Sequence, residues 1–108
     1  MGMSESDFLV AAERTLEAIE SAVESCDADI ETTRAGNVLT LELADGSKVV
    51  VNSQAPMRQI WVAARSGGFH YEWRDGAWRD TRDGSELFAA LSRVISAQGG
   101  FAVLLRTG

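Results

Sequence analysis

Cysteine is nearly absent from this chain: Cys26 is the single one among 108 residues. An internal disulfide framework is therefore excluded, and a lone thiol suits a reducing cytosol, where the protein is expected to reside. Long apolar runs are missing as well. None approaches the roughly 20 residues that a membrane-spanning helix needs. No signal-peptide pattern precedes the first amphipathic segment, so membrane association is not expected. Basic residues are scarce at one end of the chain. Residues 1–31 carry nine acids against Arg14 alone, whereas residues 32–108 carry seven acids against nine basic residues. The net charge of −6 is thus split into about −8 and about +2. Phosphate binding needs a basic footprint, which excludes free nucleic acid as a partner of the acidic end. A nucleophile elbow, a phosphate loop and zinc-ligand spacing are also lacking, so no catalytic constellation is expected.

What is present begins with apolar material. At 45% hydrophobic content the chain can bury the core of one domain, residues 1–108. Met1-Gly2 reads as a short cloning remnant before a native start at Met3. Phe8, Ala12, Leu16, Ile19, Val23 and Cys26 recur at helical spacing, with Ser4 or Ser6 available to cap the helix start. Beside them Glu13, Glu17, Glu20, Glu24 and Asp27 repeat at intervals of four, three, four and three. That spacing predicts a single acidic stripe along the helix, with no Lys or Arg inside it. Four like-charge neighbours at roughly 0.2–0.5 kcal/mol each destabilise the helix by about 1–2 kcal/mol. The helix dipole opposes Glu24 and Asp27 at the C-terminal end, so it does not account for the stripe. Cations or a basic protein surface are the natural partners. Carboxylates are hard donors that suit Fe³⁺ and tolerate Fe²⁺, Mn²⁺ or Ca²⁺ with little discrimination. An ordinary solvated acidic face reads the same way from spacing alone.

The period then changes to two. Val38–Leu43 alternates, Ala44-Asp45-Gly46 signals a hairpin with a primed turn, and Lys48–Asn52 returns. A loop around Pro56 leads to a strand at Ile60–Arg65, and Gly67-Gly68 turns it into Phe69–Arg74. Asp75-Gly76 turns the chain again, into a short strand around Trp78. Asp83-Gly84-Ser85-Glu86 opens a second amphipathic helix that Gly99-Gly100 ends, and Phe101–Leu105 packs as an extra strand or plugs the core. The expected fold is α+β: a two-layer sandwich with both helices on one face of a five- to seven-stranded antiparallel sheet. The other face is left to solvent. Alternation assigns Phe69, Tyr71 and Trp73 to the core and Asn52, Trp61, His70, Glu72 and Arg74 to the open face. A large aromatic among amides is the usual makeup of a protein-binding hot spot, and equally of a Trp that covers a neighbouring strand.

Asn52-Ser53-Gln54-Ala55-Pro56-Met57-Arg58-Gln59-Ile60-Trp61-Val62-Ala63 resembles the frataxin signature N-x-Q-x-P-x-x-Q-[IV]-W-[LVI]-[AS]. Gly67-Gly68-Phe69-His70-Tyr71 and Trp78 with Arg82 and Gly84 continue the likeness, which spans about Val38 to Leu91. The short chain looks like the bacterial branch. The resemblance implies an α-β-α sandwich and a role in iron–sulfur cluster assembly, with docking on the cysteine desulfurase and its scaffold protein. It implies weak iron binding on an acidic ridge that corresponds to Glu20, Glu24, Asp27, Asp29 and Glu31, extended here by Glu13 and Glu17. It assigns partner contact to Asn52, Gln54, Gln59 and Trp61. Some bacterial relatives carry a histidine near the start of the first helix where this chain has Leu9, so a nitrogen ligand is missing there.

An assembly scaffold needs several thiolates per cluster, and Cys26 alone does not supply them. An accessory, non-enzymatic role follows, with Cys26 as a buried structural thiol. His70 reads as a surface or partner-contact histidine before it reads as a weak ligand. The rival is a ferroxidase, or an iron-storage or iron-donor protein. A dedicated di-iron ferroxidase would carry Glu-x-x-His pairs on facing helices, which this chain lacks. A monomer is expected, with iron-dependent oligomers as the alternative state.

Overall fold

The computed structural model describes residues 3–100 and 104–105. Helix α1 spans Glu5–Ser25, and Ser4 caps it by accepting from the Asp7 N–H at 3.1 Å. Six strands follow: β1 (Glu31–Ala35), β2 (Val38–Glu42), β3 (Lys48–Gln54), β4 (Gln59–Ala64), β5 (Gly67–Arg74) and β6 (Ala77–Asp80). Helix α2, Leu87–Gly99, starts one residue after Glu86, whose carboxylate accepts from the N–H groups of Phe88 and Ala89. The sheet is one antiparallel meander in sequence order, β1 to β6, with both helices packed on it. Among the described residues no helix is long and apolar enough to cross a membrane.

The core lies between helices and sheet. Phe8, Ala12, Leu16, Ile19 and Val23 of α1 are buried, as the helical spacing requires. They meet Leu39, Leu41, Val49, Val51, Ile60, Val62 and Tyr71, the inward half of each alternating strand. The indole N–H of Trp78 donates to Thr15 Oγ1 at 2.9 Å and ties β6 to α1. Leu105 is buried, and its N–H donates to Ser92 Oγ on α2 at 2.8 Å. The expected tail strand at Phe101–Leu105 falls mostly on residues outside the described ones.

Several expectations are corrected. The helix stops at Ser25, so Asp27 lies past its cap and the helical stripe is Glu13, Glu17, Glu20 and Glu24. Strand β1 was not foreseen, because Glu31-Thr-Thr-Arg-Ala has no apolar alternation; it is an edge strand whose inner positions are Thr32 and Arg34. The Ala44-Asp45-Gly46 turn is not primed: of Asp45 and Gly46 only the glycine is left-handed, at φ 86°. Asp45 instead accepts from the N–H and hydroxyl of Ser47. Asp75-Gly76 does form the primed turn, with both residues at positive φ, 55° and 79°. The β4–β5 loop is Arg65-Ser66, and Gly67-Gly68 begin β5. Trp73 is 44% exposed, not core: it lies at the end of β5, edge-on to Trp78 at 5.4 Å.

Candidate functional site

The acidic face is built on α1 and completed from the sheet. Thr32 and Arg34 lie opposite Leu41 and Leu39, so strand parity turns Arg34 inward, toward the helix layer. Its Nη2 meets Glu13 Oε1 at 2.6 Å and its Nη1 meets Glu20 Oε1 at 3.2 Å. The Nε–H donates to the Gly36 carbonyl at 2.7 Å, which fixes the guanidinium in place. Burial lowers the Arg34 pKa, but the hydrogen bonds and charges of Glu13 and Glu20 outweigh it, and the net shift is upward. The stripe that looks uncompensated in sequence therefore contains a cation, delivered by an edge strand. This relieves part of the like-charge repulsion among Glu13, Glu17 and Glu20.

The remaining acids divide in two. Glu17, Glu24 and Asp27 are exposed, and their carboxylates make no hydrogen bond or ion pair among the described residues. Asp29 and Glu31 lie on the connection into β1 and at its start. Glu31 stands directly opposite Glu42 on β2, and Glu42 is in turn opposite Lys48 on β3. Asp29, Glu31 and Glu42 line a shallow depression of about 160 Å³ at this end of the sheet. Glu42 and Arg34 are the residues that sequence reasoning missed. Among the described residues no three His, Cys, Asp or Glu side chains converge as a group that could hold a metal ion. The seven predicted ridge acids thus do not form one cage: Glu13, Glu17, Glu20 and Glu24 lie along α1, whereas strand parity turns Glu31, with Glu42 opposite it, to the open side of the sheet. Cys26 is half-buried and its thiol donates to the Val23 carbonyl at 3.0 Å, a structural contact.

The open sheet face collects the other predicted residues. The registers put Val38, Asn52, Trp61 and His70 side by side across β2, β3, β4 and β5. A second row carries Gln54, Gln59, Glu72 and Arg79 across β3 to β6. Trp61 and His70 stack with centroids 4.3 Å apart and planes 10° from parallel. The Trp61 indole N–H donates to Gln59 Oε1 at 2.8 Å. All five predicted contact residues, Asn52, Gln54, Gln59, Trp61 and His70, are therefore neighbours on one surface. Trp61 is half-buried and lies flat against His70 on the next strand, as the reading of a Trp that covers its neighbour expects. Beyond them the Glu72 carboxylate pairs with Arg74 at 3.2 Å.

Comparison with known proteins agrees with this fold. A family model described as "Frataxin-like domain" matches residues 1–101. The chain is 55% identical to the iron–sulfur cluster assembly protein CyaY of Janthinobacterium sp. (strain Marseille), over 96% of this chain and 97% of that protein. It is 56% identical to the CyaY of Ralstonia pickettii (strain 12J), over 98% and 97%. Among solved structures, the CyaY-family frataxin of Psychromonas ingrahamii superposes with a TM-score of 0.87 at 34% identity, covering 94% of this chain and 97% of that one. A trimeric yeast frataxin complexed with ferrous superposes at 0.65 and 25% identity, covering 93% and 89%. The likeness in sequence and in fold runs through both helices and the whole sheet, and the chain belongs to the frataxin-like family, alongside its bacterial CyaY members.

Proposed function

We propose that this protein is an accessory factor of iron–sulfur cluster assembly that docks on the cysteine desulfurase and its scaffold partner, and binds iron weakly on its acidic face. The observation that carries this reading is the uncovered sheet face. There Trp61, a rigid aromatic with its N–H held by Gln59, is ringed by Asn52, Gln54 and His70, the makeup of a binding hot spot. The names of the close bacterial relatives support the pathway, and the ferrous complex of the yeast homologue supports iron as a ligand. With one cysteine the chain lacks the thiolates to build a cluster itself.

The two surfaces divide the work. The acidic face attracts a basic patch on the partner and raises the rate of encounter, while the Trp61 surface gives the contact its specificity. Glu24, Asp27, Asp29, Glu31 and the neighbouring Glu42 are hard oxygen donors and fit iron chemically. Held loosely along an exposed face, the metal exchanges with water and salt weakens its binding. Bound iron lowers the negative charge and so alters docking, which makes the protein a regulator and not a catalyst. Cluster synthesis reconstituted with desulfurase and scaffold tests this. Wild-type protein should change the rate in an iron-dependent way, and Trp61→Ala and Glu24→Lys/Asp27→Lys should each lose the effect. Full effect from both variants refutes the proposal, and saturable oxygen consumption with Fe²⁺ would favour the ferroxidase instead.

A further inference from the structure

Arg34 is a cation inside the acidic face that the order of residues in the chain did not place there. It reaches Glu13, Glu20 and the Gly36 carbonyl at once, and its side chain is only 19% exposed. We infer that Arg34 is a built-in counter-ion that sets where on the acidic face a cation can engage. It engages Glu13 and Glu20 through one carboxylate oxygen each and leaves Glu17, Glu24, Asp27 and the Asp29–Glu31–Glu42 corner without a cation. A cation arriving at Glu13 or Glu20 competes with a guanidinium that is already hydrogen-bonded three ways, whereas one arriving at Glu24 or Asp27 displaces only water.

The same geometry ties the face to the sheet. Arg34 sits at an inner position of β1, an edge strand that pairs with β2 alone. Inward charge on an edge strand discourages pairing with another sheet, and here that charge is satisfied by the helix. Arg34 therefore links the first helix, the edge strand and the ligand-facing carboxylates. It rests on the reading of the acidic face as an iron-binding surface, and deepens it by naming the residue that restricts it.

Two measurements test the inference on the full chain. Anaerobic titration with Fe²⁺ compares wild type, Arg34→Gln and Arg34→Gln/Glu13→Gln/Glu20→Gln. Freeing the Glu13 and Glu20 carboxylates should tighten Fe²⁺ binding roughly 2- to 10-fold in Arg34→Gln, and the triple variant should lose that gain. If wild type binds Fe²⁺ and Arg34→Gln binds it no tighter, the counter-ion role is overturned while the iron-binding surface stands. If wild type binds no Fe²⁺, the iron-binding surface itself is wrong. The second measurement then still decides whether Arg34 is a counter-ion, because it needs no metal. Added salt should raise the melting temperature of Arg34→Gln by more than it raises that of wild type, because screening there relieves repulsion that Arg34 otherwise offsets. Equal salt responses overturn the role. Arg34→Lys, which keeps the charge, should track wild type in both.

Discussion

The contact between Trp61 and His70 makes a prediction in which fold and function part company. The two rings face each other across β4 and β5 in direct register, stacked at 4.3 Å and 10°. Stacked aromatic pairs contribute about 0.5–1.5 kcal/mol beyond the area they bury. A double-mutant cycle of Trp61→Ala, His70→Ala and the pair, followed by urea denaturation, should therefore return a coupling energy of about 1 kcal/mol. Trp61→Ala also exposes apolar surface on its neighbours, so its total cost to the fold is about 1–2 kcal/mol, or a melting-temperature loss of roughly 4–16 °C. A domain stable by about 5–15 kcal/mol remains almost wholly folded after that loss. Binding should fall much further: truncating a central Trp typically costs 2 kcal/mol or more, about 30-fold in affinity for the desulfurase proposed as its partner. His70→Ala should weaken binding less, since it removes the platform and keeps the anchor. A coupling energy below about 0.3 kcal/mol, within ordinary additivity scatter, refutes the stacking argument. Loss of binding in step with loss of folding refutes the hot spot.

Two further outcomes follow from buried groups. Burial, reinforced by the charges of Asp80 and Asp83, pushes the Tyr71 hydroxyl up to about 12. The folded state then holds its proton where the unfolded chain, near pH 10, releases it. The stabilising effect is complete below pH 10 and disappears between pH 10 and 12, by about 2–3 kcal/mol. Tyr71 is the single tyrosine, so phenolate absorbance reads it directly, and ionisation near pH 10 in the folded protein contradicts the argument. Ser92→Ala removes the acceptor of the buried Leu105 N–H and should lower stability by about 1–3 kcal/mol at unchanged denaturant slope. A shift below about 0.5 kcal/mol shows that Leu105 finds another partner.

Legibility in the sequence followed the range of the interaction. The 3.6-residue period of Phe8 through Val23 and the two-residue period of Val38–Leu43 reflect burial of one side of a local element, and both were readable without a fold. Parity then carried Asn52, Trp61 and His70 to the open face, because consecutive side chains alternate whatever the strand pairs with. Gln54 and Gln59 came from the family motif. Asp45-Gly46 was misread because the same dipeptide serves primed turns and turns with a single left-handed glycine, and the choice depends on how the strands twist together. Trp73 was misread because alternation assigns a side and not the edge of the helical layer above it. Strand β1 was invisible since its inner positions, Thr32 and Arg34, are polar.

Sequence by itself therefore determined the elements, the sides they present and the acidic bias of the first helix, all properties of residues close together in the chain. Only the tertiary structure decided which charges meet. Arg34 is 14 residues beyond Glu20 and 21 beyond Glu13, and strand register alone brings it to them. The pairing of β1 with β2 likewise put Glu42 opposite Glu31. Coulomb energies depend on distance in space, and the chain's order does not contain that distance until the sheet has formed.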